Sequence, residues 1–203
     1  MGDPPVLADA DVAYVRAGFV PLEELCEERG EDEAACRTAI AEGRLPAASY
    51  LLADGTEMFP SDYFALADAA GGIQQLREAF LKRYSAAAAA ETTRLATAEE
   101  EWDAYLSGLY GVCLKQVTPE TIVRKSALVA ELEALLARPQ PEDASWAGEL
   151  RTKIEELDAL ERPFAPTYDR QRFGGPSSRD RLVTSPRRAF PDLFAAESLQ
   201  AGR

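Results

Sequence analysis

Apolar residues recur at helical spacing along most of the chain, and the residues between those stretches mark where helices start and stop. Asp9 or Asp11 caps a short helix that runs through Arg16 and is stopped by Gly18. Pro21 opens a second helix over 21–29, with Leu22, Leu25 and Cys26 on its apolar face and Gly30 just past its end. A third helix over 32–42 ends at Gly43. The period then changes. Two short apolar runs between Ser49 and Phe59 flank Asp54-Gly55, which reads as a two-residue hairpin turn with positive φ at both positions. Helix, turn, helix and hairpin over residues 1–60 is the layout of a small winged helix-turn-helix.

Residues 61–161 read as a helical body. Ser61 caps a helix through Ala70, closed by Gly71-Gly72. The stretch 73–85 carries Leu76, Phe80, Leu81 and Tyr84 on one face, and Ala86–Ala90 follows as a helix-compatible linker with little to pack. Thr97 and Glu100 form a capping box that opens a helix to about Ser107. Gly108 and Gly111 then bracket an apolar knot of Leu109, Tyr110, Val112, Cys113 and Leu114. Thr118-Pro119-Glu120 combines a capping hydroxyl, Pro at the first helical position and an acid at the positive dipole end, so a helix runs from there to about Ala137. The last long helix, 145–161, has Trp146, Leu150, Ile154, Leu157 and Leu160 on one stripe. The turn at 139–143 is short, which makes 119–161 an antiparallel helical hairpin.

Residues 162–203 are rich in Pro, Gly and Arg, yet they hold Phe164, Tyr168, Phe173, Leu182, Phe190, Leu193 and Phe194. That apolar content is more than a disordered tail carries. The expectation is an ordered, irregular segment that wraps the helical body or a partner, frayed over 195–203. The fold class is therefore mainly α, with a small N-terminal helix-turn-helix plus β-hairpin and an Arg-rich C-terminal segment.

Charge refines this division. The chain has 22 basic and 35 acidic side chains, a net −13. Residues 1–161 carry 14 bases and 31 acids, whereas 162–203 carry 8 bases and 4 acids, so an acidic body bears a basic tail. Bulk acidity opposes binding to nucleic acid or an anionic membrane. The helix that would enter a DNA groove, 32–42, has one base, Arg37, against Asp32, Glu33 and Glu42. No apolar run approaches 18 residues, and the N-terminus lacks the bases and apolar stretch of a signal peptide, so a cytoplasmic location is expected.

The chain contains no histidine. That excludes Ser-His-Asp and Cys-His hydrolases, His-ligated zinc and His-held haem. Proton transfer near neutral pH then falls to a tuned Asp, Glu, Tyr, Lys or Cys, or to another chain. The three cysteines, Cys26, Cys36 and Cys113, read as buried thiols, with a catalytic thiolate at Cys113 as the alternative. No cofactor or metal motif is present, and none is expected.

Three constellations could carry chemistry. The tail places Arg172, Arg179 and Arg181 near Asp169, Arg170 and Asp180, with Ser177 or Ser178 able to cap a short helix. These guanidiniums suit a small anion, pairing with the acidic body, or a partner contact. Tyr110 and Cys113 precede the capped helix at Thr118, which brings Arg124 and Lys125 one turn later as a second anion site or as ordinary helix residues. Glu99, Glu100 and Glu101 beside Trp102 could supply a desolvated base or a solvated helix start. Tyr110, Tyr168 and Asp169 complete the candidate acids and bases.

Three blocks of wording resemble a known family. The first runs from Gly43-Arg44-Leu45-Pro46 through Ser49-Tyr50 and Asp54 to Glu57, then Asp62 to Phe64. The second is Tyr105 to Gly108 with Tyr110 to Leu114 and Val117 to Glu120. The third is Phe164 to Pro166, Tyr168 to Arg170, Arg172 to Pro176 and Ser178 to Arg181. Together they resemble actinobacterial proteins with a domain of unknown function tied to natural-product biosynthesis. More distantly, the chain resembles the small subunit of two-component enzymes that close an aziridine by displacing sulfate from a neighbouring carbon. The resemblance implies a role in secondary metabolism, a partner chain (hetero-oligomer or homodimer), and a small-molecule substrate. Ala47-Ala48 stands where the family pattern has a Pro before the Ser-Tyr pair. The expected function is a subunit of a natural-product biosynthetic enzyme, in ring closure with an anionic leaving group such as sulfate. The alternatives are a non-catalytic protein-binding or regulatory module, and a small enzyme acting alone through carboxylates and Arg.

Overall fold

The computed structural model describes residues 6–195. The stretch beyond Ala195, expected to fray, and the first five residues of the acidic N-terminus lie outside the described residues. The chain is mainly helical with one small antiparallel sheet.

The N-terminal part runs α1 (Asp9–Gly18), β1 (Phe19–Pro21), α2 (Leu22–Arg29), α3 (Glu33–Ala41), β2 (Tyr50–Leu51) and β3 (Glu57–Pro60). Strand β1 was not legible in the sequence. Phe19–Pro21 pairs with Met58–Pro60 of β3, and β2 pairs with the other edge of β3, giving the order β1-β3-β2. Pro21 therefore ends a strand and caps α2, and the helix begins one residue later than its Pro signal predicts. Pro suits that place, since an edge strand tolerates a missing N–H. The turn between β2 and β3 is also wider than two residues. Leu52 accepts from Gly55 N at 3.0 Å and donates to Thr56 O at 2.9 Å. Only Gly55 takes a positive φ, 86°, because Asp54 bonds Thr56 N through its side chain at 2.9 Å and stays in the ordinary region.

Residues 61–64 form a turn before α4 (Ala65–Ala70), so Ser61 does not open that helix. Then come α5 (Ile73–Ala88), α6 (Ala98–Leu106), α7 (Leu109–Cys113), α8 (Pro119–Ala137) and α9 (Ala144–Leu160). The helix predicted over 73–85 takes in three residues of the Ala-rich linker. The Thr97 and Thr118 caps form as expected. Cross-links between α8 and α9 show the antiparallel hairpin: Trp146 Nε1 donates to Leu135 O at 3.2 Å, Lys153 pairs with Glu131 at 2.7 Å, and Arg124 with Glu156 at 2.5 Å.

The largest apolar cluster joins Leu22, Cys36 and Phe59 of the N-terminal elements to Leu76, Phe80, Trp102 and Ile122 of the helices. A second packs Leu128, Leu132, Trp146, Leu150, Ile154 and Leu157 against Leu182 and Val183 of the tail. A third holds Val15, Phe19, Tyr50, Met58, Val112 and Ala165. The tail thus wraps its own chain. It runs through α10 (Tyr168–Arg172), a continuous helical stretch 178–189 that includes a π-helical segment at Asp180–Thr184, and α12 (Pro191–Phe194), which follows α11 (Ser185–Ala189) at the end of that stretch. The wider turn precedes Pro186, which lacks an N–H and whose ring crowds the carbonyl four residues back.

Helix α7 lies hard against the hairpin. Gly108 has φ 76°, and a Cβ there would stand 2.8 Å from the Ala48 carbonyl oxygen and closer still to that of Ala47. A Cβ on Gly111 would reach Pro60 Cγ at 2.8 Å and overlap Ser49 Oγ. Ser49 Oγ donates to Gly108 O at 3.1 Å, which fixes the contact. Gly108→Ala combines a left-handed backbone with a backbone clash, and each alone costs about 1–3 kcal/mol. We expect its urea midpoint to fall by the equivalent of at least ~2 kcal/mol.

Candidate functional site

A cleft of about 310 Å³ opens between α6, α7 and α8 on one side and the tail on the other. Its walls are Ala104, Leu109, Tyr110, Cys113, Lys125, Phe164, Phe173, Pro176, Ser177 and Ser178. Phe164 and Phe173 meet edge to face with centroids 6.3 Å apart, and Phe173 is 43% exposed at the rim. The volume falls at the lower end of small-molecule sites, and a mostly apolar wall with a few polar groups is their usual composition.

Three polar groups of this wall, Lys125, Ser178 and Cys113, meet around a fourth, Glu161, which is buried behind it. Lys125 on α8 places Nζ 3.1 Å from Glu161 Oε1. Ser178 Oγ donates to the same oxygen. Glu161 is fully buried, and its other oxygen, Oε2, has no hydrogen-bond partner. An isolated bridge pairs Leu114 with Glu161; Lys115 N donates to Leu160 O at 2.9 Å and Arg162 N to Cys113 O at 3.0 Å, so the backbone around the carboxylate is fixed. Cys113 Sγ lies against Lys125 and 3.7 Å from Tyr110 O. On the adjoining wall Tyr110 donates its hydroxyl to Glu101 of α6.

The protonation states follow from burial and neighbours. Burial pulls the Lys125 ammonium down, but Cys113 and Glu161 outweigh it and hold the amine above its ordinary range. Burial raises the Cys113 thiol more than Lys125 lowers it, so Cys113 is a thiol. Burial, with the Glu101 carboxylate next to it, pushes the Tyr110 phenol far up, so Tyr110 is a donor. The cleft therefore presents an ammonium, a thiol and a phenol.

The other sequence candidates lie elsewhere. Arg172 donates to Ser49 O at 2.7 Å, Arg179 and Arg187 both pair with Asp158, and Arg181 pairs with Glu133 at 2.8 Å. Arg124 forks onto Glu156 at 2.5 and 2.6 Å. These guanidiniums do not converge on one site. Arg179 Nη1 alone among them is buried without an acceptor, beside a second opening lined by Arg170, Ser177, Asp180 and Thr184. Asp169 is fully buried and accepts from Tyr50 Oη at 2.8 Å and Ala165 N at 2.7 Å. Burial raises its carboxyl, while those two donors pull the other way. Tyr168 packs on Tyr50, with ring centroids 6.0 Å apart. Of the sequence candidates, Tyr110, Lys125 and Cys113 meet on one cleft. Sequence reasoning missed Glu161, which it read only as the last residue of the helix over 145–161. It singled out Ser178 only as a helix cap. Of the two serines named as caps, Ser177 takes that part: its Oγ accepts from Asp180 N at 3.1 Å while its own amide donates to Asp180 at 3.1 Å.

Among the described residues no group of three His, Cys, Asp or Glu side chains is placed to hold a metal, and no helix is long and apolar enough to cross a membrane. The fold and cleft define a mainly helical protein with a ligand-sized opening under a C-terminal strap. The chain belongs to a family of unknown function, DUF6058, whose model matches residues 73–191. That match takes in every residue of the cleft. No curated protein and no solved structure matches the chain.

Lys125→Met strands Glu161 as a buried, unpaired carboxylate, a change that typically costs about 3–5 kcal/mol. The double variant Lys125→Met with Glu161→Gln is expected to recover most of that loss in urea unfolding at pH 7.

Proposed function

We propose that this chain binds a small, largely apolar organic molecule in the Lys125 cleft, as a subunit of a natural-product biosynthetic enzyme that works with a partner chain. The observation that carries the binding reading is an apolar opening of ligand size with a charged amine in its wall. The biosynthetic setting rests on the three blocks of wording, the second and third of which supply cleft residues Tyr110, Cys113, Phe164, Phe173, Pro176 and Ser178. Ring closure by displacement of an anionic leaving group such as sulfate would draw on Lys125, the cation that lines the cleft. Arg124, Arg172, Arg179 and Arg181 are bonded to oxygens of their own chain.

The second reading is a protein-binding or regulatory module. It is favoured by the helix-strand-helix-helix-hairpin order of the N-terminal elements together with the state of Arg37. That residue, the lone base of α3, is engaged by Glu33 and Glu57, each at 2.7 Å. A face without a free cation suits a protein better than a phosphate backbone. Co-purification with the products of neighbouring genes tests the partner in both readings.

The cleft reading is tested with anilinonaphthalene sulfonate, an apolar fluorophore with one anionic group. Wild-type chain is expected to bind one equivalent, and Ala104→Trp, which fills the opening from α6, is expected to weaken binding at least 10-fold without changing the circular dichroism. Unchanged affinity in a folded Ala104→Trp chain rules the cleft out as the site.

A further inference from the structure

The Ser178–Glu161–Lys125 arrangement has the parts of an activated nucleophile that needs no histidine. Ser178 lines the cleft and is partly exposed, so its Oγ is reachable by a bound molecule. Its hydroxyl hydrogen already points to Glu161 Oε1. Lys125 Nζ stands 3.1 Å from that same oxygen and fixes the carboxylate from the other side. Glu161 is out of contact with water, and Oε2 retains unused acceptor capacity. A nucleophile within hydrogen-bond reach of a base that a third group orients is the general form of covalent catalysis. The capping box engages the amide of Ser177 and that of Asp180. The other cleft nucleophiles are held protonated: Cys113 is a buried thiol and Lys125 an ammonium.

We propose that Ser178 is the nucleophile of an acyl-transfer site in this cleft, with Glu161 as its proton acceptor and an ester of an apolar acid as the substrate class. The inference rests on the ligand-binding reading of the cleft. In the first step Ser178 Oγ bonds to the acyl carbon, its proton passes to Glu161, and the carbonyl electron pair moves onto oxygen. Collapse re-forms the carbonyl and breaks the bond to the alkoxy group, which leaves with the proton from Glu161 as an alcohol. Water then attacks the acyl-serine, losing a proton to Glu161. The carboxylic acid departs, and the proton returns to Ser178. The net reaction is ester plus water to acid plus alcohol, with no redox change. Lys125 acts as a positioning residue that holds the carboxylate in place through its ion pair with Oε1.

The test is covalent labelling of the full chain with diisopropyl fluorophosphate, read by intact mass and peptide mapping. A single adduct on Ser178, with fluoride released, is expected. Ser178→Ala removes one hydroxyl from a partly exposed position and keeps the Lys125–Glu161 pair, so it is expected to fold and to lose the adduct. Glu161→Gln, where it retains the wild-type circular dichroism, is expected to label at least 100-fold more slowly, and hydrolysis of p-nitrophenyl butyrate is expected to fall in step. Absence of an adduct on wild-type chain, or an adduct that persists in Ser178→Ala, overturns the proposal. Wild-type chain that binds the fluorophore in the cleft but takes no label overturns the nucleophile and leaves the binding reading standing. Loss of both overturns the two together.

Discussion

Three carboxylates without solvent exposure hold the C-terminal tail to the rest of the chain. Asp11 of α1 accepts the amides of Thr167 and Tyr168 at 2.8 and 3.2 Å. Asp169, itself in the tail, accepts the Tyr50 hydroxyl of β2, and Glu161 at the end of α9 accepts from Ser178 and Lys125. A buried carboxylate left without donors carries a desolvation cost of several kcal/mol, so each of these acids must find its partners across a junction between elements. That requirement sets the path of the tail more tightly than its apolar contacts could. Apolar packing is non-directional, whereas an amide must meet an oxygen within a few tenths of an ångström.

The cleft follows from this path. Phe164, Phe173, Pro176, Ser177 and Ser178 form one wall, and they stand opposite α6, α7 and α8 because the tail is anchored within this stretch at Thr167, Tyr168, Asp169 and Ser178. The surface ion pairs that accompany the anchors, such as Arg181 with Glu133 and Arg170 with Asp180, are about half exposed on at least one side and individually weak. Their collective effect is to lay a basic strap over an acidic body. The Arg residues that look most like an anion site in the sequence are mostly the stitching of that strap. The charge division was legible, but which carboxylate each guanidinium would take was not, because the partners of Arg170, Arg179 and Arg181 lie 10 to 48 residues away.

Where the local reading and the structure differ, the cause is tertiary. The run Phe19–Pro21 is too short to signal a strand and becomes one because β3 offers an open edge beside it. Pro21 follows its neighbour into that strand. Only the hairpin turn differs for a local reason: Asp54 keeps an ordinary φ because its own carboxylate satisfies the amide of Thr56, two residues on. Helices with caps at Thr97, Thr118 and Asp143, in contrast, begin where their caps place them, since the capping hydrogen bond involves residues two or three positions apart.

By itself the sequence determined what depends on near neighbours. That includes the mainly helical class, the caps, the antiparallel pairing of the two long helices through a short turn, the acidic body with its basic tail, and the exclusion of histidine chemistry. Tertiary structure decided what depends on distant residues meeting. Glu161 is a buried junction, Cys113 stays a thiol, and Lys125 faces a cleft while Arg124, its neighbour, faces Glu156. The physical reason is that burial and partner distance set the chemistry of an ionisable group, and neither is encoded within a turn of helix.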